Sequence, residues 1–231
     1  MDNYSYGRAL NWATALGGPL LRQNGAPFPF RFEECVSALS HAKSMLKDTW
    51  SVESASDFRH LADRMWSGMH NPGFQQTRLF LSVMTLAERR AYLASLPKND
   101  ERYEDVYTTH LYMDRLPPAG IAAWDWGRLA FYIRCARVSG YINEQEENAY
   151  LLHNAVRARW SYRNWPDYAV AYMAGRQYWS RDLSEEWSEI NLSHLNKLLT
   201  DQSSPWRELE WDIVLPEPPE LPEYENEENV R

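Results

Sequence analysis

The apolar positions of this chain recur with a helical period almost from end to end. Phe58, Leu61, Ala62, Met65, Trp66 and Met69 fall at i, i+3, i+4, i+7, i+8 and i+11, which draws one stripe along a 3.6-residue helix. Ser54-Ala55-Ser56-Asp57 precedes that stripe as a cap, and Asn71-Pro72-Gly73 reads as its stop. Phe32, Cys35, Val36, Leu39, Ala42, Lys43 and Leu46 give a second stripe, predicting a helix from Phe32 to Lys47. Met1 to Leu16 reads as a short helix, Gly17 to Phe30 as a Gly/Pro loop, and Phe74 to Met84 as a short apolar segment.

Local signals place the remaining elements. Thr85-Leu86-Ala87-Glu88 is a capping box that opens a helix running to about Leu96. Asp100 starts another, with Tyr103, Val106, Tyr107, His110, Leu111 and Asp114 on one face, and Pro117-Pro118 ends it. Ile121 to Ser139 is predicted as a long helix with Gly140 as its C-terminal cap. Asn143 caps a helix to Trp160, Asn164 caps one to about Arg181, and Ser184 to Thr200 is the last clear helix. No window alternates with period two between turn signals, so the expected class is all-α, nine to ten helices around an aromatic-rich core.

The chain also shows self-similarity. Trp50-Ser51-x-x-Ser54-x-x-Asp57-Phe58 aligns with Trp160-Ser161-x-x-Asn164-x-x-Asp167-Tyr168, and Tyr6-Gly7-Arg8 with Trp126-Gly127-Arg128. This points to a single helical domain over residues 1–215, with an internal repeat of residues 6–69 and 126–180. Residues 216–231 form a Pro/Glu-rich tail, too poor in apolar surface to order alone.

Composition narrows the function classes. The 231 residues include eleven Trp, fourteen Tyr and seven Phe, whose indole and phenol groups need hydrogen-bond partners when buried. The net charge of −8 argues against a nucleic-acid partner, since phosphate backbones are bound by clustered cations. The last fifteen residues contribute −5 of it, leaving a mildly acidic body. Cys35 and Cys135 form no metal or redox motif, and the reading is two buried thiols in a reducing compartment. With no signal-peptide core and no run of eighteen apolar residues, a cytoplasmic protein without a membrane partner is expected.

Specific chemistry is sparse. The six histidines make no His-Glu-x-x-His, and only Asp57-Phe58-Arg59-His60 has ligand-like spacing, so neither metal nor other cofactor is expected. There is no Gly-x-Ser-x-Gly and no activated cysteine context. What stands out is charge on apolar faces. Asp125 and Arg128 are three residues apart on one helix, and Arg176 interrupts the stripe of Trp165, Tyr168, Ala169, Tyr172, Met173 and Trp179. If those helices pack together, Asp125, Arg128 and Arg176 form a cluster rimmed by Trp124, Tyr172 and Trp179. Such a cluster reads either as a pocket for an anionic or nucleotide-like molecule or as a salt-bridge network fixing helix register.

The same segment resembles a known family. Trp124-Asp125-Trp126-Gly127-Arg128, Gly140-Tyr141-Ile142, Ser161 with Trp165, and Tyr172-Met173-Ala174-Gly175-Arg176 with Trp179 are similar to the signature of the bacterial domain of unknown function 1266. The likeness is dense over residues 120–180 and looser at Trp50 and Trp66 to His70. In the family signature Ser and Trp are adjacent, so Asn164-Trp165 is the equivalent here and Ser161 loses its claim to a role. The resemblance implies a helical fold and a residue cluster, and no established activity. Two function classes remain. One is a non-enzymatic module that binds another protein, regulatory or accessory to a toxin system or chaperone. The other is a helical enzyme or effector using the Asp125/Arg128/Arg176 cluster on an anion.

Overall fold

A computed structural model describes residues 2–24 and 41–221. Its elements are α1 (Asn3–Ala15), α2 (Gly18–Gln23), α3 (Ala42–Trp50), α4 (Ala55–Ser67), α5 (Asn71–Ser82) and α6 (Leu86–Ser95). They continue as α7 (Tyr103–Tyr112), α8 (Ala122–Val138), α9 (Glu144–Ser161), α10 (Trp165–Ser180), α11 (Glu185–Thr200) and α12 (Pro205–Glu208). No strand occurs among the described residues, so the class is all-α. Ten of the helices have nine or more residues, and α2 and α12 are short additions.

Most boundaries follow the caps. The side chains of Ser54, Thr85, Asn143, Asn164 and Ser184 each accept a backbone N–H three residues on, and Thr85/Glu88 and Asn143/Glu146 close full capping boxes. Gly140 ends α8 at φ +76°; its N–H reaches the Arg137 carbonyl and that of Tyr141 the Ala136 carbonyl, the paired bonds of a Schellman turn.

Two proline signals resolve differently from their sequence reading. Gly17 to Phe30 was expected to be a loop, yet residues 18–23 are helical; Asn71-Pro72-Gly73 was expected to stop a helix, yet α5 begins there. The cause is the same in both: proline lacks an N–H that the first helical turn would leave unpaired, and its fixed φ suits that turn. The stretch 25–40, including Phe32, Cys35, Val36 and Leu39, lies outside the described residues, as does 222–231 of the tail.

The core is organised around α8. Fourteen of its seventeen residues are buried on all sides, against α9, α10, α3, α4, α2 and α1, rather than on one amphipathic face. Glycines set its closest crossing, with α10. A Cβ at Gly175 would lie 2.4 Å from Trp124 Cβ and 2.9 Å from the Ile121 carbonyl, and one at Gly127 would lie 2.8 Å from the Tyr172 ring. Only hydrogen fits between these helices.

Around the first turn of α10 the aromatics condense. Trp165 stacks on Trp206 at 4.8 Å, while Trp12, Trp211, Tyr162 and Tyr168 pack edgewise or tilted around them. Loop and helix-end carbonyls satisfy most of their polar atoms, while Trp12 Nε1 is buried without a partner. Trp165 donates to Leu209, Trp206 to Ala15, Trp211 to Tyr162 and Tyr168 to Leu16. Each such ring pair contributes about 0.5–1.5 kcal/mol beyond the area it buries. Beyond α12 the chain continues without helix, Ile213, Leu215 and Leu221 packing on the core and the Pro219 carbonyl lying 2.9 Å from His153 Nε2.

Helices α5, α6 and α7 enclose a small second core of Leu81, Val106 and Met113. Arg78 fastens it to the main body, donating to the Leu116 and Pro117 carbonyls at 2.7 and 2.8 Å. At the two segments aligned as a repeat, Ser54 and Asn164 cap equivalently and Phe58 and Tyr168 are both fully buried. Trp50 packs against Tyr132, whereas Trp160 is 86% exposed. Gly7 has open space where Gly127 is enclosed.

Candidate functional site

The first turns of α8 carry the charged pair. Asp125 and Arg128 are joined in an ion pair, and both side chains are almost completely buried. The second carboxylate oxygen of Asp125 accepts the Met69 backbone N–H at 2.9 Å, and Arg128 also approaches Met69 Sδ. The Arg128 guanidinium sits between two indoles, 4.6 Å from the Trp124 ring centre and 5.2 Å from that of Trp50. Charge, hydrogen bonds and cation–π contacts thus enclose it from several sides. Arg128 Nε remains buried without a partner, as does Trp124 Nε1.

His70, the residue before α5, stands beside this pair. Burial lowers its proton affinity, the Asp125 carboxylate acts to raise it, and the Arg128 charge lowers it again. Tyr172 closes the site from α10, its ring 5.1 Å from that of Trp124. Its hydroxyl is fully buried and has no hydrogen-bond partner, and this burial pushes the phenol far above its usual range. Trp179 tilts against Trp124 at 5.7 Å and is 51% exposed, forming the outer rim.

Arg176 takes another direction. Its guanidinium donates to Asn191 Oδ1 on α11 and lies 5.8 Å from the Trp187 ring centre. Tyr172 stands between the two arginines and feels the charge of both. The residues read together from sequence therefore divide into Trp124, Asp125, Arg128, Tyr172 and Trp179 at the α8–α10 crossing, and Arg176 with α11. Sequence reasoning did not assign Trp50, Met69 or Asn191, which arrive from α3, the loop after α4, and α11. Trp50 was visible as part of a turn pattern and of the looser family likeness, without a role at this site.

The other motif positions have packing roles on view. Gly127 and Gly175 admit the helix crossing, Gly140 turns the chain, Tyr141 receives Lys43 Nζ 5.7 Å from its ring centre, and Trp165 lies in the aromatic cluster. No described helix is long and apolar enough to cross a membrane.

Comparison with known proteins places this arrangement among relatives. The profile of a protein family of unknown function, DUF1266, matches residues 45–211, from the middle of α3 to Trp211. The chain is 27% identical over 163 residues to the uncharacterized protein YbeR of Escherichia coli (strain K12), covering 66% of this chain and 67% of that one. It is 34% identical over 67 residues to the uncharacterized protein YbeU of the same strain, covering 29% of this chain and 28% of that one. No solved structure matches. The matched span contains the glycine-mediated crossing, the buried ion pair and all of the aromatic cluster but Trp12, and the chain belongs to the DUF1266 family of proteins of unknown function.

Proposed function

We propose that this protein is a non-enzymatic interaction module that binds another protein through the outer side of α5–α7. The observation that carries this reading is a concentration of exposed apolar side chains: Leu79 is 70%, Phe80 47%, Val83 82% and Leu86 51% exposed. Helix α6 buries none of its ten residues, which leaves its outward face uncovered by the described residues. Exposed apolar groups gathered in one place favour a protein contact over a solvated surface. Beside them an open cleft of about 390 Å³ runs between α6 and α7, lined by Leu93, Ala94, Tyr103, Tyr107 and Leu111 with Arg90 and His110. Its lining carries cationic and neutral groups and no acid, which suits a partner segment that is apolar and flanked by carboxylates.

Chemistry at Asp125 and Arg128 draws less support. Each neutralises the other inside the protein, and the second oxygen of Asp125 is held by a backbone N–H.

A photo-crosslinking side chain at Val83 should join the protein to a single partner in its own cells, and Leu79→Asp should remove that product without changing the melting temperature. Surface substitutions of this kind shift stability by less than about 0.5 kcal/mol. A product that survives Leu79→Asp, or that forms equally from the exposed Leu192 on α11, refutes the assignment of this face. An adduct made only with a second copy of the chain refutes the heterologous partner.

A further inference from the structure

Residues 71–116 leave the main body and return to it at one place. Asn71, at the start of α5, accepts the Ile121 N–H through its Oδ1 at 3.0 Å, so the entry and exit of this stretch lie side by side. A glycine with left-handed backbone stands at each crossing, Gly68 at φ +79° and Gly120 at φ +58°. A Cβ at Gly120 would lie 2.4 Å from Gln75 Nε2 and 2.7 Å from Asn71 Oδ1, an approach of the two ends that only a residue without a side chain permits. The joint is pinned from the main body. Asp125 accepts the Met69 N–H at 2.9 Å, and Tyr162 donates to the Gly120 carbonyl at 3.2 Å.

Between these ends α5, α6 and α7 are tied to one another. Leu81, Val106 and Met113 form their own core, Phe80 packs edgewise on Tyr92 at 5.4 Å, and Arg89 of α6 pairs with Asp114 at 2.9 Å. Their attachment to the main body is of another kind. Of the buried apolar side chains in the three helices, Phe74 joins the main core, edgewise on Tyr178 and three residues from the joint.

The rest of the seam described with α10 is polar. Asp105, Thr108, Thr109 and Tyr112 stand at i, i+3, i+4 and i+7 of α7, one stripe along the helix. Both ends of the stripe bond to the end of α10: Tyr112 donates to Gln177 at 3.0 Å, and Asp105 pairs at 3.0 Å with the half-exposed Arg181. Between them the hydroxyls of Thr108 and Thr109 are fully buried without a hydrogen-bond partner, as is the second oxygen of Asp105. Stranded polar atoms lower the gain from closing a seam, and water satisfies them when it parts.

We propose that α5–α7 is a hinged arm, pivoting at the joint of Asn71 and Ile121 and closed onto α10 by an Asp105–Arg181 latch. Burial of α8 on all sides outlasts such a seam, so the arm opens while the main body stays folded. Opening lifts Phe74 and Tyr112 from α10, wets the two threonine hydroxyls and bares Gln177 and Tyr178. The arm carries the proposed protein-binding face, but its motion is a separate claim and its test needs no partner.

Hydrogen exchange of the full chain, followed by mass spectrometry, tests the proposal. The slowest amides of α5 and α7 should share one opening equilibrium and exchange about tenfold or more faster than the slowest of α8. Arg181 stands at φ +56°, a backbone that Asn tolerates, so Arg181→Asn removes the latch charge without adding strain. It should speed α5 and α7 alike by about fivefold. Tyr112→Phe, which strands the buried Gln177 side-chain carbonyl, should do so by about tenfold, with α8 and α9 unchanged in both variants. Exchange of α5 and α7 only in step with α8, or variants that leave the α5 amides unmoved, overturns the inference.

Discussion

Replacing Gly175 by alanine adds one methyl group at the point where α8 and α10 cross, and its effect can be worked from the distances there. The added carbon would sit 2.4 Å from Trp124 Cβ and 2.9 Å from the Ile121 carbonyl oxygen. Neither obstacle is the loose end of a side chain: one is fixed to the α8 backbone and the other is backbone. Reaching ordinary contact at about 3.4 Å moves the helices apart by roughly 1 Å, which also draws Trp124 off Arg128. Overpacking of a rigid core costs about 1–3 kcal/mol, and this case belongs at the top of that range. Alanine's better helix propensity returns about 1 kcal/mol, leaving a net loss of about 2 kcal/mol. For a chain of this size each kcal/mol shifts Tm by about 2–4 °C, so a calorimetric melt should fall by about 4–8 °C. Gly7→Ala is the matched control, since nothing lies within 4 Å of its added Cβ. It gains the propensity term alone, and its Tm should rise by about 2–4 °C. A Gly175→Ala protein that melts at or above the wild-type temperature refutes the claim that this glycine is required by the helix approach.

Other outcomes follow from the same geometry. Arg128→Met strands the buried Asp125 carboxylate and should cost about 3–5 kcal/mol in urea denaturation, while Arg128→Met with Asp125→Leu should recover most of that loss. Asn164→Ala removes the cap of α10, and a loss of about 1 kcal/mol is expected by the same measurement. Burial holds the proton affinities of His70, His110 and His194 below the ordinary value of 6.5. The unfolded chain then binds more protons, so stability is complete above pH 6.5 and declines as pH falls through the lowered native values; His70→Gln should flatten part of the Tm-against-pH curve between 7 and 5.

How far the sequence discloses this fold depends on the range of the interaction concerned. Thr85 with Glu88, Asn143 with Glu146, and Gly140 are settled within a few residues, and those helix ends are legible from the chain. Pro19 and Pro72 are ambiguous because the same residue suits a turn and a first helical turn, and only packing decides between them. The burial of α8 on every side could not be read from the spacing of Asp125 and Arg128, because its neighbours come from six other helices. The same division holds at the candidate site. Asp125 and Arg128 pair at i, i+3, a local geometry, whereas the course of Arg176 is set by Asn191, which stands on a separate helix and is placed by how α10 and α11 pack.

The bond from Trp206 to the Ala15 carbonyl spans 191 residues of sequence. During synthesis α1 emerges long before the indoles that cover it, and at roughly 5–20 residues per second the wait is on the order of 10–40 s. Through most of that interval Trp12 lacks Trp165, and through all of it Trp211, and the apolar flank of α1 is available to any holdase at the ribosome exit. Closure of the aromatic cluster is therefore a late event in the birth of each molecule, and nascent chains halted before Trp206 are expected to remain open at α1 while the capped helices between are already formed.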